Sequence, residues 1–391
     1  MNEELLLLDK AEAKLRQSSV RMQMIVAGVS AVLVRDFANI YYLTGRVFDG
    51  YVYLPAEGEP IYFVKRPVHL AGANVVSISK PENMAEHVDL SGNIALELDT
   101  LSYSAVIRLS KAMSIAAVRI NASAIMRNAR AVKTARERDT IRLDGIKHER
   151  VYGVIPKLYR EGMTDVELQI EIERVARLEG SLGQFRISGD TMELYMGNLL
   201  AGDNADAPSP YDFAMGGAGL DPSLPVGADG TVIKPGMSVM VDMNGNFNGY
   251  MTDMTRTYAL GKLADKAVDA HNLSIEICHT LSSIAAPGMQ AKELYEEACR
   301  IVSAHGLERY FMGHSQHAGF IGHGVGIEIN ELPVIAPRSR DILAKGNVIA
   351  LEPKFVIPGT GAVGIENTYT LTDAGLEPLT KAPEELIYFA E

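Results

Sequence analysis

GMTDVELQIEIERVARLEG, residues 162–180, returns as GMQAKELYEEACRIVSAHG, residues 288–306, with Gly, Met, Glu, Leu, Glu, Arg and Gly recurring in register. The apolar positions Leu168, Ile172, Val175 and Ala176 correspond to Leu294, Ala298, Ile301 and Val302. That is the i, i+4, i+7, i+8 stripe of a helix lying on a core. Thr164 followed by Glu167 has the pattern of a capping box. Each copy predicts one helix with the same buried face, and the repetition points to a unit folded twice about a pseudo-twofold axis.

The duplication extends to strands. KPGMSVMVD (234–242) resembles KGNVIALE (345–352), each with a Gly six residues before a carboxylate that ends an apolar run. A further acid follows each run, Asp253 eleven residues after Asp242 and Glu366 fourteen after Glu352. Two similar halves would bring these four carboxylates to one central place. Converging carboxylates repel one another and are expensive to bury unless they are protonated or neutralised by cations. A metal cluster relieves that repulsion. The imidazole candidate is His323 in GHGVGIEINELP (322–333), where flanking glycines let the backbone approach closely. Oxygen-rich ligation with one imidazole suits Mn²⁺, Co²⁺ or Fe²⁺, with Zn²⁺ possible; a structural zinc site would use Cys.

Upstream, short β-type runs separated by Gly, Pro and charged turns begin at Ala31 (AVLV), Ile40 (IYYL), Tyr51 (YVYL) and Ile61 (IYFV). They predict a small α/β domain. Long amphipathic helices take over from Ala135, which places the boundary near Arg130 to Lys133 and gives domains of 1–132 and 133–391.

These motifs resemble the pita-bread metallohydrolases, the family of Xaa-Pro dipeptidases, Xaa-Pro aminopeptidases, methionine aminopeptidases and the metal-free creatinases. NIYYLTGR (39–46) is similar to the creatinase-type N-terminal domain. VDMNGNFNGYMTDMTRTY carries the two-Asp motif with Thr255, Arg256 and Thr257 after the second Asp, GHGVG the His, and LEPKFVIPGTGAVGIENT the two Glu. The resemblance implies a small creatinase-type α/β domain followed by a pseudo-twofold pita-bread catalytic domain. It further implies two divalent ions, Mn²⁺ first. Asp242 would chelate one, Asp253 and Glu366 would bridge both, and His323 and Glu352 would bind the other, ~3.5–4 Å apart with a bridging water. Glu352 would take up and return the proton of that water, and the metals would polarise the scissile carbonyl.

The match fails at three outer positions. Val226 stands where relatives place a His, Asn330 where they place another, and Gly364 where they place an Arg. These groups help to bind substrate, so Val226 and Asn330 become candidate substrate contacts of altered chemistry, and His314 and His317 in GHSQHAGFIG become candidate replacements. Two functions follow: a dinuclear-metal peptidase of the Xaa-Pro type, or a metal-dependent amidohydrolase acting on a small non-peptide amide or cyclic amidine.

Composition bounds the alternatives. A net charge of −12 with no Lys/Arg-rich run argues against nucleic acid or an anionic membrane surface as partner. Two cysteines, Cys278 and Cys299, exclude a disulfide framework and suggest a reducing compartment, hence the cytoplasm. MNEELLLLDK lacks the basic start and apolar core of a signal peptide, and MIVAGVSAVLV from Met24 is about half a membrane span. The two-domain relatives lead us to expect a homodimer.

Overall fold

The computed structural model describes residues 3–90, 92–115, 120–189, 195–211 and 213–389. The chain divides into two units, Met1–Thr134 and Ala135–Glu391. In the first, a five-stranded sheet is built from β1 (Ala31–Val34), β2 (Asp49–Pro55), β3 (Ile61–Arg66), β4 (Val75–Ser77) and β5 (Ile94–Leu96) in the order β4-β3-β2-β1-β5. β2 runs antiparallel to both neighbours, and the outer pairs β1–β5 and β3–β4 are parallel. Leu33, Tyr53, Phe63 and Leu96 share one core.

One of the four β-type runs is not a strand. Ile40–Leu43 lies inside a helix, Phe37–Thr44. The Asp36 carboxylate accepts hydrogen bonds from the Ala38 and Asn39 amides at 2.8 and 3.3 Å, and Gly45 ends the helix at φ +74°. A strong N-cap and a left-handed C-cap thus outweigh the β propensity of Ile, Tyr and Tyr. The apolar run is still buried, at Ile40, Tyr42 and Leu43.

In the second unit the duplicated segments are the helices Asp165–Leu178 and Ala291–Ala304, each opened by a capping box, Thr164 with Glu167 and Gln290 with Glu293. Each helix packs its stripe on its own sheet. Leu168, Ile172 and Ala176 share a core with Val239, Val241 and Met254. Leu294, Ala298, Ile301 and Val302 share one with Ile349, Leu351 and Tyr369. The first sheet contains β6 (Gly197–Ala201), β7 (Ser238–Gly245) and β8 (Thr252–Ala259), with Ile387–Tyr388 at the edge of β8. The second contains β9 (Gly322–Gly324), β10 (Glu331–Ile335), β11 (Val348–Leu351), β14 (Asn367–Thr372) and β15 (Gly375–Pro378) in the order β10-β9-β11-β14-β15. Between β11 and β14 the chain makes a hairpin of β12 (Lys354–Ile357) and β13 (Gly361–Gly364).

The halves meet through TRT (255–257). Thr255 and Glu366 exchange backbone hydrogen bonds, at 3.3 and 3.1 Å. Thr257 Oγ1 donates to the Gly364 carbonyl at 2.8 Å. The Arg256 guanidinium, 1% exposed, donates to the carbonyls of Thr255, Glu366, Ala382 and Pro383 and to Asn367 Oδ1. Its five N–H groups match five acceptors, as a buried guanidinium requires. The carboxylates sit along this junction.

Candidate metal centre

Asp242 lies within β7 and Asp253 near the start of β8, and the two strands pair antiparallel with Asp242 opposite Thr255 and Asn244 opposite Asp253. Residues opposite one another, and those two apart on one strand, share a face. The eleven-residue spacing therefore puts both Asp side chains on one face, while Val241 and Met254 turn the other way into the core. Glu352 follows the last residue of β11, Glu366 precedes the first of β14, and Leu351 pairs with Asn367, so both Glu stand at the same end of that pair. His323 on β9 is opposite Ala350 of β11.

The structure brings all five expected residues together, as two triads sharing Glu366. In Asp253, His323 and Glu366 the ligand atoms lie within 4.8 Å of one another, and the same holds for Asp242, Glu352 and Glu366. His323 Nε2 is 3.3 Å from Glu352 and 3.7 Å from Asp253, while its Nδ1 lies 3.1 Å from the Gly324 carbonyl. That carbonyl holds a proton on Nδ1 and presents Nε2 to the acids, the orientation a metal-ligating His needs. Glu366 Oε2 accepts from Thr255 Oγ1 at 2.7 Å, and its Oε1 is buried with no hydrogen-bond partner among the described residues.

A sixth side chain, which the sequence reading missed, completes the cluster. Lys354 is fully buried, and its Nζ lies 2.8 Å from Asp242, 2.7 Å from Glu352 and 3.1 Å from Glu366. An ammonium has three N–H donors, and here each has a carboxylate. The signal in the sequence is a lysine two residues beyond a candidate ligand inside the apolar run LEPKFVI.

Burial and mutual repulsion push two acids up. Glu366 is held well above the usual carboxylate range by burial and by the charges of Asp253 and Glu352. Asp253 is raised to about 7 by burial and by Asp242. Glu352 goes the other way: burial would raise it, but the Lys354 charge and the hydrogen bond from His323 outweigh that and hold it at about 2. Burial lowers His323, yet the hydrogen bond and charge of Glu352 win, and it rises to about 9. The ammonium of Lys354 is disfavoured by burial and kept charged by the three acids around it. Two carboxyls resisting ionisation beside an unpartnered oxygen mark a centre still short of positive charge.

The first triad fits a divalent cation: two carboxylates, one of them with an orphaned oxygen, and a correctly presented imidazole. The second triad does not fit one while Lys354 is in place, because the ammonium already takes an oxygen from each of its three members.

The outer candidates are elsewhere occupied. Asn330 is locked to the backbone of Ser188, accepting at 2.8 Å and donating at 2.6 Å. Val226 is buried in a loop, with its amide bonded to the Leu224 carbonyl. His314 pairs with Asp206 at 3.1 Å and stacks on Tyr310, and His317 Nδ1 lies 2.9 Å from the Phe311 carbonyl. Neither histidine joins the acid triads. His317 instead lines a cleft with Asp206, Ser209, Tyr211, Met215 and Gln316.

A creatinase-type α/β unit followed by a pseudo-twofold pita-bread unit, with acids and one imidazole gathered at the junction of its halves, is the architecture of a hydrolase of the metallopeptidase class. The chain belongs to metallopeptidase family M24, whose model matches residues 139–373, and the creatinase/prolidase N-terminal domain model matches residues 16–132. It is similar to the Xaa-Pro dipeptidase of Pyrococcus furiosus, 27% identical over 92% of this chain and 95% of that protein. Among solved structures it is similar to the Xaa-Pro dipeptidase from Bacillus anthracis, with TM-score 0.78, 24% identity, and 96% and 99% of the two chains covered. The prolidase from Pyrococcus horikoshii gives TM-score 0.77 and 23% identity over 95% and 99%. No helix among the described residues is long and apolar enough to cross a membrane.

Proposed function

We propose that the chain hydrolyses an amide bond in a small peptide of the Xaa-Pro type, using a divalent metal ion held by Asp253, His323 and Glu366, with Glu352 as proton acceptor. The observation that carries this is the triad itself, three ligand atoms within 4.8 Å with an oxygen of Glu366 left unpartnered. The oxygen-rich donor set suits Mn²⁺, with Co²⁺, Fe²⁺ or Zn²⁺ as alternatives. Such an ion supplies Lewis acidity, lowering the pKa of a water and polarising a carbonyl. The expected second ion would have to displace the ammonium of Lys354, and the mechanism is built on one.

The chain's own groups do the rest. Lys354 keeps Glu352 ionised, so that its carboxylate can accept a proton from the attacking water. The same ammonium makes it a weak base, so it works only on a water already acidified. His323 Nδ1 stays on the Gly324 carbonyl throughout, fixing the ring. Thr255 Oγ1 and the backbone bonds between Thr255 and Glu366 hold Glu366 across the junction of the halves. Residues 1–132 and 133–391 are taken as the two domains, and the cytoplasmic homodimer expected from the sequence stays with this reading.

A second substrate class is favoured by one observation. A free C-terminal carboxylate beside the metal needs a cationic or strong donor partner to offset its desolvation. Lys354 has spent its three donors, Asn330 is tied to Ser188, and Val226 and Gly364 carry no polar side chain. A carboxylate-free substrate, a small non-peptide amide or cyclic amidine, or a longer peptide meets no such demand. The test is kcat/KM for Ala-Pro, for its C-terminal amide and for an extended Ala-Pro peptide after loading with Mn²⁺ or Co²⁺. The amide or the longer peptide should be preferred. A dipeptide preference of tenfold or more, about 1.4 kcal/mol of discrimination, would restore ordinary dipeptidase activity; no hydrolysis of any of the three would sink the peptidase reading.

A further inference from the structure

We propose that the ammonium of Lys354 permanently occupies the place of a second cation, so that the chain binds no more than one divalent ion. The inference rests on the family reading of this centre, not on its substrate.

Nζ contacts Asp242, Glu352 and Glu366 at 2.8, 2.7 and 3.1 Å, which are ammonium-to-carboxylate lengths. A metal in the same cage would draw its oxygens in to about 2.0–2.2 Å. The cage is sized for nitrogen, and Asp242 Oδ2, Glu352 Oε2 and Glu366 Oε2 are all turned to the ammonium.

Charge supports the same conclusion. Four carboxylates balance two divalent ions. With a lysine ammonium fixed among three of them, one divalent ion leaves the cluster at −1, and a second would turn it positive while standing against the ammonium as well as against the first ion.

The side chain also has nowhere else to go. Lys354 is 0% exposed. Its backbone is held in the β12–β13 ladder opposite Gly364, its carbonyl accepts from the Met312 amide at 2.8 Å, and its own amide lies 3.3 Å from Met312 Sδ. A rotation that freed the cage would bury the ammonium without these acids or force it through packed strands.

The test is metal stoichiometry on full-length protein, by elemental analysis and calorimetric titration of chelator-stripped protein with Mn²⁺, with electron paramagnetic resonance to separate single Mn²⁺ ions from exchange-coupled pairs. Wild-type protein should take zero or one equivalent and give no coupled-pair signal. Lys354→Ala, or Lys354→Met if the shorter side chain does not fold, should gain one equivalent. Two equivalents in wild type, or a folded Lys354 variant that gains none, would overturn the proposal. Turnover plays no part in this readout, so loss of the peptidase reading and loss of this one are told apart.

Discussion

Lys354 and Gly364 stand opposite one another across the antiparallel hairpin of β12 and β13. The positive charge that side chain 364 lacks is delivered to the acids from the facing strand. A Cβ at 364 would lie 2.9 Å from the Pro353 carbonyl, 3.0 Å from Ser274 Oγ and 3.1 Å from the Lys354 Cα. Position 364 is therefore closed to a side chain in this backbone, and Lys354 brings the cation in from the facing strand.

Lys354→Met leaves Asp242, Glu352 and Glu366 sharing one buried site with only the His323 imidazolium, beside Glu352, as counter-charge. In metal-free buffer at pH 7 the substitution should destabilise the protein by about 3–5 kcal/mol, the range for removing one partner of a buried ion pair. Urea unfolding measures it, and the deficit should shrink on acidification as the acids take up protons. A loss below about 1 kcal/mol would mean that the acids are already neutralised in some other way.

Glu352→Gln keeps an oxygen for Lys354 and removes one negative charge from a crowded cluster, so the fold should survive. Turnover should fall by about 10²–10⁴-fold, the contribution of a positioned general base. Activity and melting temperature are measured together on the same preparation; near wild-type turnover takes Glu352 out of the proton transfer.

Gly364→Ala tests the closed position. At φ +140° with three atoms at 2.9–3.1 Å from the new Cβ, it should cost about 1–3 kcal/mol of stability. Gly359→Ala is the control, since it also has positive φ, +81°, but meets nothing within 4 Å. Equal effects in thermal or urea unfolding would show that strain alone, and not the packing around Lys354, fixes the glycine.

His148 gives the fold an acid sensitivity away from the site's own ligands. It is fully buried on helix Ala135–Tyr152, with Nδ1 3.0 Å from Thr252 Oγ1 and Nε2 unpartnered among the described residues. Burial, and then the charge of Arg256, lower it to about 3 from an ordinary 6.5. Above 6.5 both folded and unfolded chains hold it neutral, so it contributes no pH dependence. As pH falls below 6.5 the unfolded chain takes a proton that the folded one refuses, and stability is lost, on the order of 2 kcal/mol by pH 5. In His148→Gln the fall in stability between pH 7 and pH 5 should be smaller by that amount; parallel unfolding curves for variant and wild type would contradict it.

The sequence by itself determined the duplicated architecture and which four carboxylates and one imidazole converge, because each depends on spacing. The helix stripes from Leu168 and Leu294, and a Gly six residues before Asp242 and Glu352, survive translation into structure since periodicity dictates which face is buried. Ile40–Leu43 has the β propensity of a strand, and the Asp36 cap sets it within the helix Phe37–Thr44. Tertiary structure alone decided where the charges go. Lys354 is two residues from Glu352 in sequence, but it is the pairing of β12 with β13 and the meeting of the halves at Thr255 and Glu366 that bring its ammonium to Asp242. Asn330 was legible as a neutral amide, yet only the fold shows it spent on Ser188. Spacing along the chain fixes which face a residue occupies; which distant charge it meets there is set by how two faces pack, and no local pattern encodes that.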